Sequence, residues 1–474
     1  MNNKNNSMQQ QQPQQRRMAI GLAVLLALVI SGIGLVVLGL NAIGSKDSPI
    51  PAGSASLFTP EVKFAQPGAT VGPTAPQPVN AVVATQAAPV TTMHPDGAIA
   101  GIADFVCPKP HPAPEKFGYG IQSNWAVGDM GNWNNVMADQ LKVTWTKAQV
   151  RWSEFEKEKG KIVPQVDANS FDAFVADANK KGLNIVIGVI QAPAWARKLN
   201  EPGLLGPPDD YADAARFFGK ITARYRGCIQ AVEIWNEMNL DREWRVSSGQ
   251  IAAADYVRYL KAVVPVIKKY DPNLITVMGA LSPVGYTTVG KFQDDYTYMD
   301  DFVAAGGPAL VDCIGVHLNG YNYPPDKTWD SGYKDPTATF RGPFDSPSHD
   351  WSFLSTFTSY YQKTKKPLCV TEFGWPSMDG LKRRDGSPLQ GAPEGFGFAL
   401  DNTEKKQADW IVQGFDILRK SGYVKFGIVF NLDYIVKIGE EPDNKKANVA
   451  PYSVVRRDGS TRPAFEAIKL IKKD

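Results

Sequence analysis

Eight short apolar runs, each followed by a segment of different period, fix the class of fold open to this chain. They are FGYGIQ (117–122), TKAQVRW (146–152), LNIVIGVIQA (183–192), AVEIWNE (231–237), ITVMGAL (275–281), CIGVHLN (313–319), PLCVTEF (367–373) and VKFGIVFNL (424–432). Between them lie amphipathic stretches. SFDAFVADANKKG (170–182) sets Phe171, Phe174, Val175 and Ala178 on one face and closes on Gly182, while YADAARFFGKITARY (211–225) is led by Asp209 and Asp210 as caps. ADYVRYLKAVVPVIKKYDPN continues the pattern, with a kink expected at Pro265. Near-continuous apolar strands alternating with such helices imply a parallel sheet covered by helices. Eight repeats predict an α/β fold of the (β/α)8 TIM-barrel type over residues 101–474. The segment after the first strand, GYGIQSNWAVGDMGNW, lacks the spacing of a dinucleotide or phosphate loop, which disfavours an open nucleotide-binding sheet.

The first hundred residues differ in kind. A polar, Gln/Asn-rich opening (1–17) ends in Arg16 and Arg17, and residues 18–40 then run uncharged for 23 residues. As a helix this stretch is about 34 Å long, enough to cross a hydrocarbon core of about 30 Å. The leading arginines predict a cytoplasmic N-terminus, so a single-pass anchor holds the rest outside the cell, or releases it if the anchor is cut. Residues 41–100, rich in Pro, Ala and Thr, read as a disordered linker. With a formal net charge of +3 and no basic stripe among aromatics, nucleic acid is not an expected partner. His94 and His111 have no partners at ligand spacing, so no metal or other cofactor is expected. Cys107 can pair with Cys228, an outside location permitting it, whereas Cys313 and Cys369 in strand-like runs read at least equally well as buried free thiols.

Two apolar strands close on an acid. Glu237 follows AVEIWN, and Glu372 sits in KPLCVTEFGW, 135 residues later. At a barrel's active face, the carboxyl ends of the strands, both would point into one mouth. Such a pair serves glycoside hydrolysis: one carboxyl, kept protonated by a raised pKa, protonates the leaving oxygen while the other attacks or stabilises the developing cation.

These residues also carry a resemblance. EIWNEMNL resembles the acid/base strand of clan A glycoside hydrolases and VTEFGW their nucleophile strand; VRWSEFEKEKG, QAPAWA, YVRYLKAVVPVIKKYDPNLITVMGAL and DGSTRPAFEAI are similar to family 39 and its cellulase-like (family 5) neighbours. The resemblance implies Glu237 as general acid/base, Glu372 as nucleophile, Asn236 as a partner of the sugar 2-hydroxyl, and Arg151 as the cation that keeps the nucleophile ionised; the alternative for Arg151 is a salt bridge with Glu154 or Glu156. It implies a tyrosine orienting the nucleophile, Tyr321 or Tyr323. His317 lines the sugar subsite or packs in the core. Trp195, in a loop after the third strand, is the favoured sugar platform, and Trp235 reads as platform or core. Met238 replaces the usual proline, and VFNLDY, with Phe430, Asn431 and Asp433, replaces the usual tryptophan after strand eight.

Long segments after strands six, seven and eight read as functional loops. Their basic residues Arg341, Lys382, Arg383 and Arg384 favour an acidic polymer or form a solvated face. The expected activity is retaining hydrolysis of O-glycosidic bonds in a polysaccharide; a carbohydrate-binding pseudoenzyme and a transglycosylase are the alternatives.

Overall fold

The computed structural model describes residues 104–124, 130–163, 170–201, 204–438, 440–444 and 447–473. The expected N-terminal segment, anchor and linker (1–17, 18–40 and 41–100) lie outside them. Among the described residues, no helix is long and apolar enough to cross a membrane.

All eight expected strands form: β1 (Gly118–Gln122), β2 (Trp145–Arg151), β3 (Asn184–Ile190), β4 (Ala231–Ile234), β5 (Ile275–Met278), β6 (Ile314–Asn319), β7 (Leu368–Gly374) and β8 (Val424–Val429). They pair in parallel in the order β5-β4-β3-β2-β1-β8-β7-β6. The remaining gap closes through the bridges Val277–Cys313 and Leu281–Val316, with Met278 N donating to Cys313 O at 2.9 Å. The result is a (β/α)8 barrel. Each strand is followed by a helix: α1 (Met130–Asn135), α2 (Phe171–Lys180), α3 (Tyr211–Arg224), α4 (Ala253–Tyr270), α5 (Asp295–Ala304), α6 (Phe353–Thr364), α7 (Glu404–Lys420) and α8 (Pro463–Leu470). Ser170 caps α2 by accepting from Ala173 N. Asp210 caps α3, whereas Asp209 accepts from Lys198 N instead. Helix α4 continues through Pro265.

The period-two alternation of strands decides what fills the barrel. Trp145, Val186, Ala231, Val277, Cys313, Cys369, Phe426 and Ile428 form one buried cluster distinct from the larger core shared by strands and helices. Two residues further along their strands, the same inward rows carry Lys147 and Glu233. Gly188 of β3 leaves the room they need, because a Cβ there would come within 3.2 Å of Glu233 Oε2 and 3.4 Å of Lys147 Cε.

The cysteines correct one expectation. Cys107 is bonded to Cys228, but Cys313 and Cys369 are also a disulfide, joining β6 to β7. Parallel neighbours in register 314↔368 bring the two preceding and following residues to a Cα separation of 5.9 Å, within disulfide reach.

The long loops pack on one another. Tyr321, Trp351, Phe396, Phe398, Phe430, Tyr434, Val449 and Tyr452, drawn from segments after β6, β7 and β8, make a separate aromatic cluster. The buried Arg462 guanidinium ties the loops down, donating to the carbonyls of Ser377, Asp379, Pro451 and Ser453 and pairing with Glu404 at 3.0 Å.

Candidate active site

The floor of the mouth is a buried ionic group. Lys147 Nζ lies 2.9 Å from Glu233 Oε2 and 3.0 Å from Glu372 Oε1. Burial opposes the ammonium, but the two carboxylates outweigh it and raise Lys147 above its ordinary value. Glu233 is likewise opposed by burial and held below the carboxylate range by Lys147 and His317. Thr371 Oγ1 donates to Glu233 Oε1 at 2.7 Å, and Asn319 Nδ2 donates to Glu372 Oε2 at 3.3 Å.

Glu237 reaches the same mouth by a strained turn. Strand β4 ends at Ile234, three residues earlier than the apolar run suggested, and Trp235 (φ 81°) and Glu237 (φ 44°) take left-handed conformations. Non-glycine residues adopt such backbone at a cost of about 1–3 kcal/mol, and do so mainly where surroundings impose it. Here Glu237 N donates to Ala280 O at 2.7 Å and Trp235 Nε1 to Glu243 O at 2.8 Å, fixing the turn. The Glu237 side chain then meets His317 Nδ1 at 3.2 Å through Oε1 and Arg242 Nη2 at 3.0 Å through Oε2. Burial pushes its carboxyl up, but the His317 hydrogen bond and the Arg242 charge prevail and hold it below 4.5. The sequence reading expected the opposite direction, since it had no view of the two cations.

His317 joins the two acids. With Nδ1 on Glu237, its Nε2 stands 3.8 Å from Glu372 Oε1 and 3.7 Å from Glu233 Oε1. Burial disfavours the imidazolium, yet Glu372 and Glu237 raise it above 6.5. It is therefore buried among the acids.

Other expected residues fall elsewhere. Arg151 pairs with Glu154 at 3.3 Å and is one-third exposed; Lys147, four residues earlier on β2, is the cation on Glu372. The Trp195 indole donates to Glu156 O, and its half-buried ring meets Trp152, Lys159 and Arg216. Trp235 is core, edge-on to Trp244 and Tyr259. Tyr323 turns its hydroxyl to Thr328 O and Ser331 Oγ. Tyr321 belongs to the aromatic cluster, edge-on to Trp351. Tyr452 is pushed up by burial and then by Glu372 and Glu237. Phe430, in the place of the missing tryptophan, packs against Tyr434 and Tyr452. Asn236 is buried beside Glu237 and hydrogen-bonds the Glu243 carboxyl. Three of the basic loop residues are paired, Arg341 with Asp345, Arg383 with Asp443, and Arg384 with Glu441 at 4.0 Å, and Lys382 is exposed.

Among the described residues, Asp294, Asp295 and His349 bring possible metal-ligand atoms within 4.8 Å. Asp295 already accepts from Val284 N, Tyr360 and His349, so its oxygens are committed within the protein.

The cellulase family, glycosyl hydrolase family 5, matches by its sequence model over residues 120–412, a span that includes both acids and the whole polar floor. The chain belongs to that family. The family 5 chain is 24% identical over 231 residues to the "Putative mannan endo-1,4-beta-mannosidase 9" of Oryza sativa subsp. japonica, covering 43% of itself and 51% of the rice protein. It thus spans about half the length of that relative. Its fold is like that of a family 39 glycoside hydrolase from the gut symbiont Bacteroides cellulosilyticus WH2, with a TM-score of 0.50 and 18% identity over 77% of this chain and 65% of that one.

Proposed function

We propose that this family 5 chain is a retaining glycosidase that hydrolyses a polysaccharide by a two-glutamate double displacement, held on the outer face of a cell membrane by its N-terminal segment. The observation that carries the reading is the placement of Glu237 and Glu372 on opposite ring nitrogens of one buried histidine. Glu372, paired with Lys147 at 3.0 Å, attacks the anomeric carbon as the leaving oxygen takes a proton from Glu237. Glu237 then deprotonates the water that releases the glycosyl-enzyme. In this reading sugar hydroxyls are bound by Asn236, which is buried, and by Asn319, whose Oδ1 is buried without a partner among the described residues. The rice relative's name makes a β-1,4-linked mannan the first polymer to try.

The external location rests on the uncharged run 18–40 behind Arg16 and Arg17, and two disulfides suit an oxidising compartment. The test is turnover of a panel of mannans, glucans and xylans by the full-length protein, beside Glu237→Gln and Glu372→Gln. Cutting by the wild type alone, with retained anomeric configuration in the first product seen by NMR, is the expected result. Glycan binding that is equal in all three proteins, without cleavage, would return the chain to the binding-module class. Fractionation of the producing cells tests the anchor: recovery of the protein with the cytosol refutes it.

A further inference from the structure

A general acid must hold a proton when the glycosidic bond breaks, yet the corner around Glu237 favours its ionised form. The neighbourhood contains a second buried carboxyl. Glu243, only 5% exposed, lies on the turn leaving Glu237. Arg242 stands between the two acids, with Nη2 at 3.0 Å from Glu237 Oε2 and Nε at 3.5 Å from Glu243 Oε1. The Glu243 backbone carbonyl holds Trp235 in the strained turn, and its carboxyl hydrogen-bonds Asn236, the residue preceding the acid.

Resting on the glycosidase reading, we propose that Glu243 is a positioning residue that keeps one proton in this corner, so that Glu237 and Glu243 share it across Arg242 and Glu237 is supplied as an acid up to neutral pH.

One arginine compensates one carboxylate well and two poorly, because like charges flanking one guanidinium in a buried site disfavour double ionisation. With the proton on Glu243, Arg242 neutralises Glu237; with the proton on Glu237, Arg242 neutralises Glu243. The proton count is one in both arrangements, and they interconvert by loss of a proton to water at one carboxyl and gain at the other. The pair therefore loses its last proton at a value belonging to both groups. Burial, with the neighbouring Glu237 adding to it against Arg242, places that loss for Glu243 at about 7. The charged groups facing Glu243 are Arg242 and Glu237. Those facing Glu237 are Arg242, Glu243 and His317 of β6, with Glu233, Glu372 and Lys147 behind the histidine. Asp241 and Arg245, on the same loop, pair with each other at 2.8 Å.

Glu243→Gln keeps shape and hydrogen bonding but cannot hold the spare proton. For glycosides with poor leaving groups, the alkaline limb of kcat/KM should move from near neutrality toward acid by more than about one pH unit. For 2,4-dinitrophenyl glycosides, whose departing phenolate needs no proton, wild-type and variant profiles should superimpose after scaling. A limb that stays in place, or an equal displacement for both substrate types, overturns the proposal while leaving the glycosidase reading intact. A second readout does not depend on turnover. Infrared titration of the full-length protein should show a protonated carboxyl band that disappears near pH 7 and is missing from Glu243→Gln. Absence of the band in the wild type, or its persistence in the variant, overturns the proposal whether or not a substrate is cut.

Discussion

Lys147 Nζ lies 3.0 Å from Glu372 Oε1 inside the barrel, in the place that the sequence had assigned to Arg151. The same ammonium also neutralises Glu233 at 2.9 Å, so one cation serves two buried carboxylates on two other strands. Lys147→Met should destabilise the protein by about 3–5 kcal/mol, the range seen when one partner of a buried ion pair is removed. Arg151→Met removes a partly exposed pair with Glu154 and should cost about 0–1 kcal/mol. Denaturant unfolding of both variants checks this, and equal losses would put the counter-charge of Glu372 back on Arg151.

Asn319 donates to the second oxygen of Glu372 and keeps its own oxygen without a partner among the described residues. Asn319→Ala should lower kcat/KM by about a hundredfold, the scale for losing one preorganised donor at a developing charge. Tyr323→Phe, whose hydroxyl faces Thr328 and Ser331, should leave kcat/KM close to wild type. Steady-state kinetics on one substrate ranks the two, and a larger loss in the tyrosine variant would contradict the assignment.

Glu243 gives a stability dependence with a definite sign. Its folded value, about 7, lies above the ordinary 4.5, so the folded state holds a proton that the unfolded chain has released. The associated stabilisation is present below pH 4.5 and is lost as pH rises toward 7. Compared with Glu243→Gln, the wild type should lose roughly 3 kcal/mol across that interval. Parallel unfolding curves at pH 4.5 and pH 7.5 measure the difference, and a gap that does not change with pH is incompatible with a proton held there.

Both disulfides close long loops, of 121 and 56 residues. Replacing either pair by alanines should cost about 2–5 kcal/mol, and reduction should lower Tm in the wild type more than in either variant. Calorimetry with and without reductant reads this directly; an unchanged Tm on reduction would mean that the bridges do not hold the folded state.

The strands and helices were legible because each carries its own period, and the two acids because a carboxylate after an apolar run is locally anomalous. Lys147 was not. It sits mid-strand in TKAQVRW, where a lysine reads as a polar face, and only its position two residues beyond inward-facing Trp145 signals an interior side chain. The Cys313–Cys369 bond was hidden for a related reason: strand-like surroundings predict burial of each thiol, while adjacency depends on which strands pair and in what register.

The sequence by itself therefore determined the eightfold alternation, the barrel and the choice of Glu237 and Glu372 as the acids that interrupt apolar runs, all consequences of local periodicity and of where polar residues break it. The charge environment was decided only by the tertiary structure, which gathered Lys147, Glu233, His317 and Arg242 from β2, β4, β6 and a loop around the two acids. Electrostatic interaction in a buried site depends on distances of a few ångströms, and residues hundreds of positions apart acquire those distances only when the barrel closes.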